Sequence, residues 1–507
     1  MKTLWPKLGK WYRTMDRAKE PGSDISASRW KHPPLGMYVD GEFIESSSAL
    51  PLEVINPADE AVLGMLPSAT SQLLQKALYS AERAFETWPR FSPEIRKEVL
   101  ERAADILSER ASPIALSIVL EQGKPLNQAR LEVSRVIDLF RYYARLALEL
   151  HDGYLGDHQQ PVRRSSKPVP IGVVAAFTAW NFPLVLPGRK LAMALAAGCP
   201  VILKAAEETP TAAIELVRAL QEAGLPTGYL HLVFGNPADI SRELIASPVV
   251  RKISLTGSIP VGKSLARLAA EGMKPASMEL GGHSAALVFA DADIDAAASE
   301  LAAAKFANAG QVCTAPSRLF IEMPAYDRFV DAFLEKVKSI RVGNGLDPDT
   351  DLGPLAHWRR IDATVGVVED AIAGGAQIIT GGNRIKRPGY FFEPTVLCNV
   401  APGSQILRDE YFAPLAPING FNNEMQAVSM ANSLPYGLAA YVYTQSPERI
   451  DRLIENLEAG GIFVNTTATV TEFTPFCGIK ESGYGYEGGR RGLDTFVHYR
   501  LVNSVRN

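Results

Sequence analysis

From residue 170 onward the chain alternates short apolar runs with helical stretches. PIGVVAAFTAW is an apolar run of strand length, GRKLAMALAAG a short helix, and PVILKAA a second buried strand. ETPTAAIELVRALQEAG follows as a helix, YLHLVFG and RKISLTGS as strands, and VGKSLARLAAEG as another helix. Continuous apolar strands alternating with helices are the signature of a parallel sheet covered by helices, an α/β fold. A second alternating block begins near residue 280. It runs through SAALVFA, a helix over the Ala-rich 293–309, RLFIEM and a helix over 325–339, with further strands at QIITGG, FFEPTVL, AAYVYT and GGIFVN.

At 507 residues the chain is too long for one ordinary core, so two or three domains are expected. MYVDGEFIESSS (37–48) reads as a hairpin turning at Asp40-Gly41. Residues 71–150 read as helical. Ser92-Pro93-Glu94 supplies a cap and a first-position proline, and Ile95, Val99, Ala103, Ile106 and Leu107 follow at helical spacing. HQQPVRRSSKPVP (158–170) has no core-forming pattern and is either a linker or an exposed strand, and the tail DTFVHYRLVNSVRN is β-prone. The N-terminal stretch is basic without an apolar run and reads as a polar extension.

Composition narrows the function classes. Apolar content of 47%, charged content of 21% and a net charge of −4 with no long basic run give nucleic-acid binding no support. The four cysteines (Cys199, Cys313, Cys398, Cys477) are far apart, which argues against a disulfide framework or a zinc site and fits a reducing, cytoplasmic setting. The seven histidines form no ligand-spaced cluster, so no metal is expected. No apolar stretch approaches the roughly 18 residues of a membrane span. AALAAGCPVILKAA is short and broken by Gly198, Pro200 and Lys204.

Five stretches carry chemistry. LTGSIPVG (255–262) puts Gly257 and Gly262 at a strand-to-helix turn, where backbone can approach a phosphate; a tight turn is the plainer reading. KAAEETP (204–210) puts Lys204 and Glu207 at a strand end, where they could hold ribose hydroxyls, beside a helix start with Thr209 as cap and Pro210 at the first position. In MELGGHSA (278–285), Glu279 sits between Met278 and Leu280. Desolvation there would raise its pKa and suit a general base; a solvated acid at a strand edge is the alternative. FANAGQVCTAPSR (306–318) surrounds Cys313 with small residues that leave a thiol accessible to act as nucleophile. In FTAWNFPL (177–184), the Asn181 amide can donate to a developing oxyanion; the plainer reading is an aromatic pair packed around a turn.

Together, in this order and spacing, these motifs resemble the aldehyde dehydrogenase superfamily. The resemblance runs from about residue 37 to the end. It includes VINPADEAVLG, AWNFPL, KAAE, TGSIPVG, MELGG, GQVC, FFEPTVL, RDEYFAPL, LPYGLAAYVYT, GGIFVN and PFCGIKESGYGYEG, with Cys313 34 residues after Glu279. It implies two Rossmann-like parallel-sheet domains plus a small β oligomerisation flap. The implied organisation is an N-terminal extension (1–36), an NAD-binding domain (37–152 and 171–280), a catalytic domain (281–455), a return segment lining the substrate entrance (456–487) and the flap (153–170 and 488–507). It also implies a homodimer or homotetramer.

The resemblance further implies aldehyde oxidation through a Cys313 thiohemiacetal and thioester. Asn181 and the Cys313 N–H would stabilise the oxyanion, and Glu279 would activate the hydrolytic water. Lys204 and Glu207 would bind the adenosine ribose, Gly257 and Ser258 the pyrophosphate, Leu280 the nicotinamide, and Glu410 and Phe412 its ribose, with Trp180 lining the cleft. A carboxylate at 207 repels a 2′-phosphate, which favours NAD over NADP. Glu279 favours hydrolysis over transfer to coenzyme A, and a redox-free cysteine hydrolase would leave TGSIPVG and KAAE unexplained. Three positions depart from the family: Ala179, Ala413 and Cys477. Arg189 falls where succinate-semialdehyde dehydrogenases carry a substrate-binding arginine, although their second arginine is Ala307 here; the other reading of Arg189 is a structural salt bridge. Phe473, in TEFT, offers an aromatic to the substrate pocket. An acid semialdehyde is thus expected as substrate. The alternatives are a neutral aliphatic or aromatic aldehyde, or a structural protein on the same fold.

Overall fold

The computed structural model describes residues 32–87, 92–150, 153–154, 162–468 and 471–505. Most of the expected polar extension, and residues 155–161 of the expected flap, lie outside this set. Among the described residues, the strands Val173–Phe177, Val201–Lys204 and Leu230–Val233 step in parallel toward one edge of a sheet. Val250–Gly257 and Ala276–Leu280 step in parallel toward the other. The winding therefore reverses between Val173–Phe177 and Val250–Gly257, and a crevice opens outside the carboxyl ends of strands at such a point. Val174, Ile202, Leu232 and Ile253 are fully buried. Each such side chain contributes roughly 1.5–3 kcal/mol.

The edges are closed by antiparallel partners. The hairpin strand Met37–Val39 pairs with Leu230–Val233, and Gly483–Tyr484 pairs with Ala276–Leu280. The hairpin turns at Asp40-Gly41, with φ of 56° and 88°, the left-handed pair that a two-residue turn requires. Helices Ser71–Thr87, Pro93–Glu109, Ala111–Gln122 and Leu126–Ala147 precede the first central strand. Ser92 caps its helix by accepting from the Ile95 N–H at 3.4 Å. Pro210 opens Pro210–Glu222 as expected, but Thr209 makes no capping bond; its hydroxyl donates to the Trp180 carbonyl at 3.5 Å instead.

A second sheet is built around Ser284–Val288. Pro316–Glu322, Leu415–Phe421 and Thr395–Cys398 extend it in parallel on one side, with Gln377–Thr380 antiparallel at that edge. Ala439–Tyr443 and Gly461–Val464 extend it in parallel on the other, so this sheet reaches past residue 455. The helix expected over 293–309 ends earlier, as Ile294–Phe306. Residues 162–170 form a strand rather than a linker. Val162–Pro170 pairs antiparallel along its length with the tail Val497–Val505, and Gly153–Tyr154 adds a third strand. Among the described residues no helix is long and apolar enough to cross a membrane.

Candidate active site

Strand register gathers the sequence motifs. Phe177 pairs with Lys204, Leu255 with Phe177, Thr256 with Glu279 and Gly257 with Leu280. Trp180 and Asn181, Lys204 and Glu207, Gly257 and Ser258, and Glu279 and Leu280 therefore emerge at the carboxyl ends of the first sheet's parallel strands. Cys313 arrives from the second sheet, just before Pro316–Glu322.

The loop that delivers Cys313 leaves its helix through three left-handed residues, Asn308, Ala309 and Gly310, with φ of 48°, 54° and 75°. Such backbone costs about 1–2 kcal/mol at each non-glycine residue. Asn308 is held there: its N–H donates to Gln128 Oε1 at 2.9 Å, and its amide donates to the carbonyls of Asn181 and Gln311 at 3.1 and 3.3 Å. Gly310 must be glycine for a second reason, since a Cβ would strike the Ala413 carbonyl.

The Cys313 thiol donates to Glu279 Oε1 at 3.5 Å, and Thr256 Oγ1 donates to Glu279 Oε2 at 3.0 Å. Burial pushes the Glu279 carboxyl up, and the Glu487 carboxylate adds to that; Arg189, Lys190 and the Thr256 hydrogen bond pull it down. Burial and the carboxylates of Glu279 and Glu410 hold the thiol well above its ordinary value, opposed by Arg189. The Asn181 amide donates to the Gln311 carbonyl, two residues before the cysteine, at 3.1 Å. Thiol, carboxylate and amide thus meet in one place, where a nucleophile, a proton acceptor and an oxyanion donor can act on one carbonyl.

The crevice beside them suits a dinucleotide. Lys204 Nζ and Glu207 Oε1 pair at 2.6 Å at the end of their strand, and Glu207 also accepts from the Gly235 N–H at 3.3 Å. Burial raises the Glu207 carboxyl against the pull of Lys204. Ser258 begins the helix Ile259–Glu271 without a side-chain capping bond, leaving an N-terminus that favours an anion. Glu410 Oε1 accepts from the Gly282 N–H at 3.1 Å, and a Cβ on Gly281 would collide with its carboxylate. Burial lifts Glu410 to about 7. Trp180 meets Phe412 edge-on at 6.0 Å and His357 at 5.3 Å.

His357 and Arg360 were not anticipated from sequence. His357 Nδ1 and Arg360 Nε are buried polar atoms without a protein partner. Arg360 also donates through Nη2 to the Tyr411 carbonyl, and Arg359 reaches across to Glu208 at 2.8 Å. An unmatched imidazole nitrogen on the ring against Trp180, and an unmatched guanidinium N–H on Arg360, fit a polar ligand in this crevice. PLAHWRRID carries no spacing that would have singled them out; only the folded chain brings His357 to Trp180 and Arg360 to Tyr411.

Arg189 is 13% exposed. Its Nη1 lies 3.9 Å from Glu487 Oε2, while its Nε is buried without a partner. Lys190 holds the other oxygen of Glu487. Phe473 is exposed and meets Tyr142 edge-on at 4.9 Å; Tyr142 meets Tyr143 at 5.2 Å, and the Tyr143 hydroxyl donates to the Gly489 carbonyl.

Residues 43–502 match the aldehyde dehydrogenase family. The chain is 39% identical to 4-(hydroxymethyl)benzenesulfonate dehydrogenase of Comamonas testosteroni, over 92% of this chain and 98% of that one. It is 35% identical to the NADP-dependent succinate-semialdehyde dehydrogenase of Escherichia coli, over 92% of this chain and 96% of that one. The crystal structure of succinate-semialdehyde dehydrogenase from Burkholderia pseudomallei superposes with a TM-score of 0.92 at 36% identity, covering 96% of this chain and 100% of the other.

Proposed function

The chain belongs to the aldehyde dehydrogenase family, and we propose that it oxidises an acid semialdehyde, such as succinate semialdehyde, to the carboxylic acid with NAD. The observation that carries the reading is the 3.5 Å contact between Cys313 and Glu279, beside the Asn181 amide. Glu279 accepts the thiol proton as Sγ bonds to the aldehyde carbon, and the carbonyl electrons move to oxygen. The Asn181 amide donates to that oxyanion. A nicotinamide dinucleotide bound in the crevice would supply the hydride acceptor that lets the Cys313 adduct become a thioester. Glu279 releases the first proton to solvent, then takes one from water as the water attacks the thioester, and the carboxylic acid leaves as the Cys313 thiolate reforms.

Lys204 and Glu207 take the adenosine ribose, Gly257 and Ser258 the pyrophosphate, Leu280 the nicotinamide, and Glu410 and Phe412 the nicotinamide ribose, with Trp180 lining the cleft. The Glu207 carboxylate disfavours a 2′-phosphate, so NAD is preferred although the Escherichia coli relative is named for NADP.

Arg189 anchors the substrate's acid group. Its 3.9 Å approach to Glu487 is loose, and its Nε lacks a protein partner, so a donor remains for an anion. Succinate semialdehyde carries a carboxylate and the Comamonas relative's substrate a sulfonate, so both relatives' names specify an acid group. The Tyr142–Phe473 contact supports a second reading, an aryl aldehyde bearing the anion. The test is NADH formation with succinate semialdehyde, glutarate semialdehyde, sulfobenzaldehyde, benzaldehyde and propanal. The anionic aldehydes are expected to have the higher kcat/KM, and Arg189→Met should lower theirs most. Equal values for benzaldehyde and propanal would leave Arg189 a structural partner of Glu487. The three-stranded sheet of Gly153–Tyr154, Val162–Pro170 and Val497–Val505 joins subunits into a homodimer or homotetramer.

A further inference from the structure

The segment EQGKPLNQARLE (121–132) joins the end of one helix to the start of the next, and it holds a buried ion pair. Lys124 Nζ and Glu132 Oε2 lie 2.5 Å apart, each side chain 1% exposed. Burying two charges is expensive, and a well-packed apolar pair of similar volume often stabilises a fold equally well. Filling space therefore does not account for this pair. Its other bonds do. Lys124 Nζ donates to the Asn181 carbonyl at 2.9 Å and sits 4.2 Å over the Phe182 ring. Glu132 Oε1 accepts from the Leu184 and Val185 N–H groups at 2.9 and 3.2 Å, at the start of the helix Val185–Ala197. The ammonium thus grips the turn at Asn181 while the carboxylate grips it where the helix begins. From the same segment, Gln128 Oε1 accepts from the Asn308 N–H, and Asn308 shares the Asn181 carbonyl with Lys124.

We propose that Lys124 and Glu132 are positioning residues for the oxyanion site: by fixing the Asn181 turn from both ends, the pair keeps the Asn181 amide aimed at the oxygen of the Cys313 adduct. The inference rests on the oxyanion role proposed for Asn181. Neither residue touches the reacting atoms, so its loss should act through Asn181. A misplacement of about 1 Å at such a donor costs about 100-fold in rate.

The test is a double-mutant cycle on the full-length enzyme, crossing Lys124→Met, and separately Glu132→Gln, with Asn181→Ala. Glu132→Gln retains an acceptor for the Leu184 and Val185 N–H groups. The double substitution Lys124→Met/Glu132→Gln leaves no unpaired buried ion, which guards against a variant that fails to fold; NADH binding by fluorescence verifies the fold. Expected is a fall in kcat of about 10- to 100-fold with aldehyde KM little changed, shrinking to less than about threefold in the Asn181→Ala background. An undiminished loss in that background, or full kcat in the folded double variant, would overturn the positioning role while leaving Asn181 its function. Unchanged kcat in Asn181→Ala alone would overturn the oxyanion role, and this inference with it.

Discussion

In the proposed mechanism Cys313 can pass its proton to Glu279 only when that carboxyl is ionised, and burial raises both groups. Activity should therefore climb with pH through this pair. Thr256 donates to Glu279 at 3.0 Å and favours the ionised carboxylate. Removing that donor raises the Glu279 pKa, so Thr256→Val should move the ascending limb of the kcat/KM profile to higher pH. An unmoved limb would mean that Glu279 does not set it. At this scale the sequence is uneven. Glu279, Cys313 and Asn181 are legible because their neighbours are chemically unusual for a carboxylate, a thiol and an amide. Lys124, Glu132, His357 and Arg360 are not legible. What marks them is a contact between distant parts of the chain, such as Lys124 with the Asn181 carbonyl or His357 with Trp180.

Among the elements, the left-handed run Asn308–Gly310 is the one on which the site depends most, because it ends the helix and delivers Cys313. Gly310→Ala would force a Cβ against the Ala413 carbonyl at φ 75°. It should destabilise by about 2 kcal/mol and cut activity more than cofactor binding; chemical denaturation and NADH binding on the same protein measure both. The run is hidden in sequence, since the Ala-rich 293–309 carries helical propensity up to it and the kink is fixed by bonds to Gln128 and Asn181. The strand Val162–Pro170 was equally ambiguous. Its polar residues lack an apolar face, and its partner is the far end of the chain. By contrast, the apolar runs from 170 to 257 announce themselves, because strands buried on both faces admit little else.

At the scale of the molecule, two mainly parallel sheets meet where Cys313 of one faces Glu279 of the other, and a separate three-stranded sheet joins the tail to Val162–Pro170. The α/β architecture follows from the alternation of strands and helices, but the sheet to which a late strand belongs does not. Gly461–Val464 joins the second sheet and Gly483–Tyr484 the first, because their pairing is set by tertiary register. Leu501 and Val505, on the outer strand of the small sheet, are 62% and 68% exposed. Apolar residues on such an edge call for a partner. Leu501→Glu/Val505→Glu should lower the mass in solution by light scattering while the chain stays folded; an unchanged mass would place the subunit interface elsewhere.

The covalent role of Cys313 is the claim on which the rest depends, and the most direct measurement is NADH formation from NAD and succinate semialdehyde by the wild-type chain and by Cys313→Ser. The account predicts steady turnover in the first, loss of at least about 1,000-fold in the second, and stoichiometric iodoacetamide labelling of a thiol that Cys313→Ser removes. Turnover that survives in Cys313→Ser would contradict it.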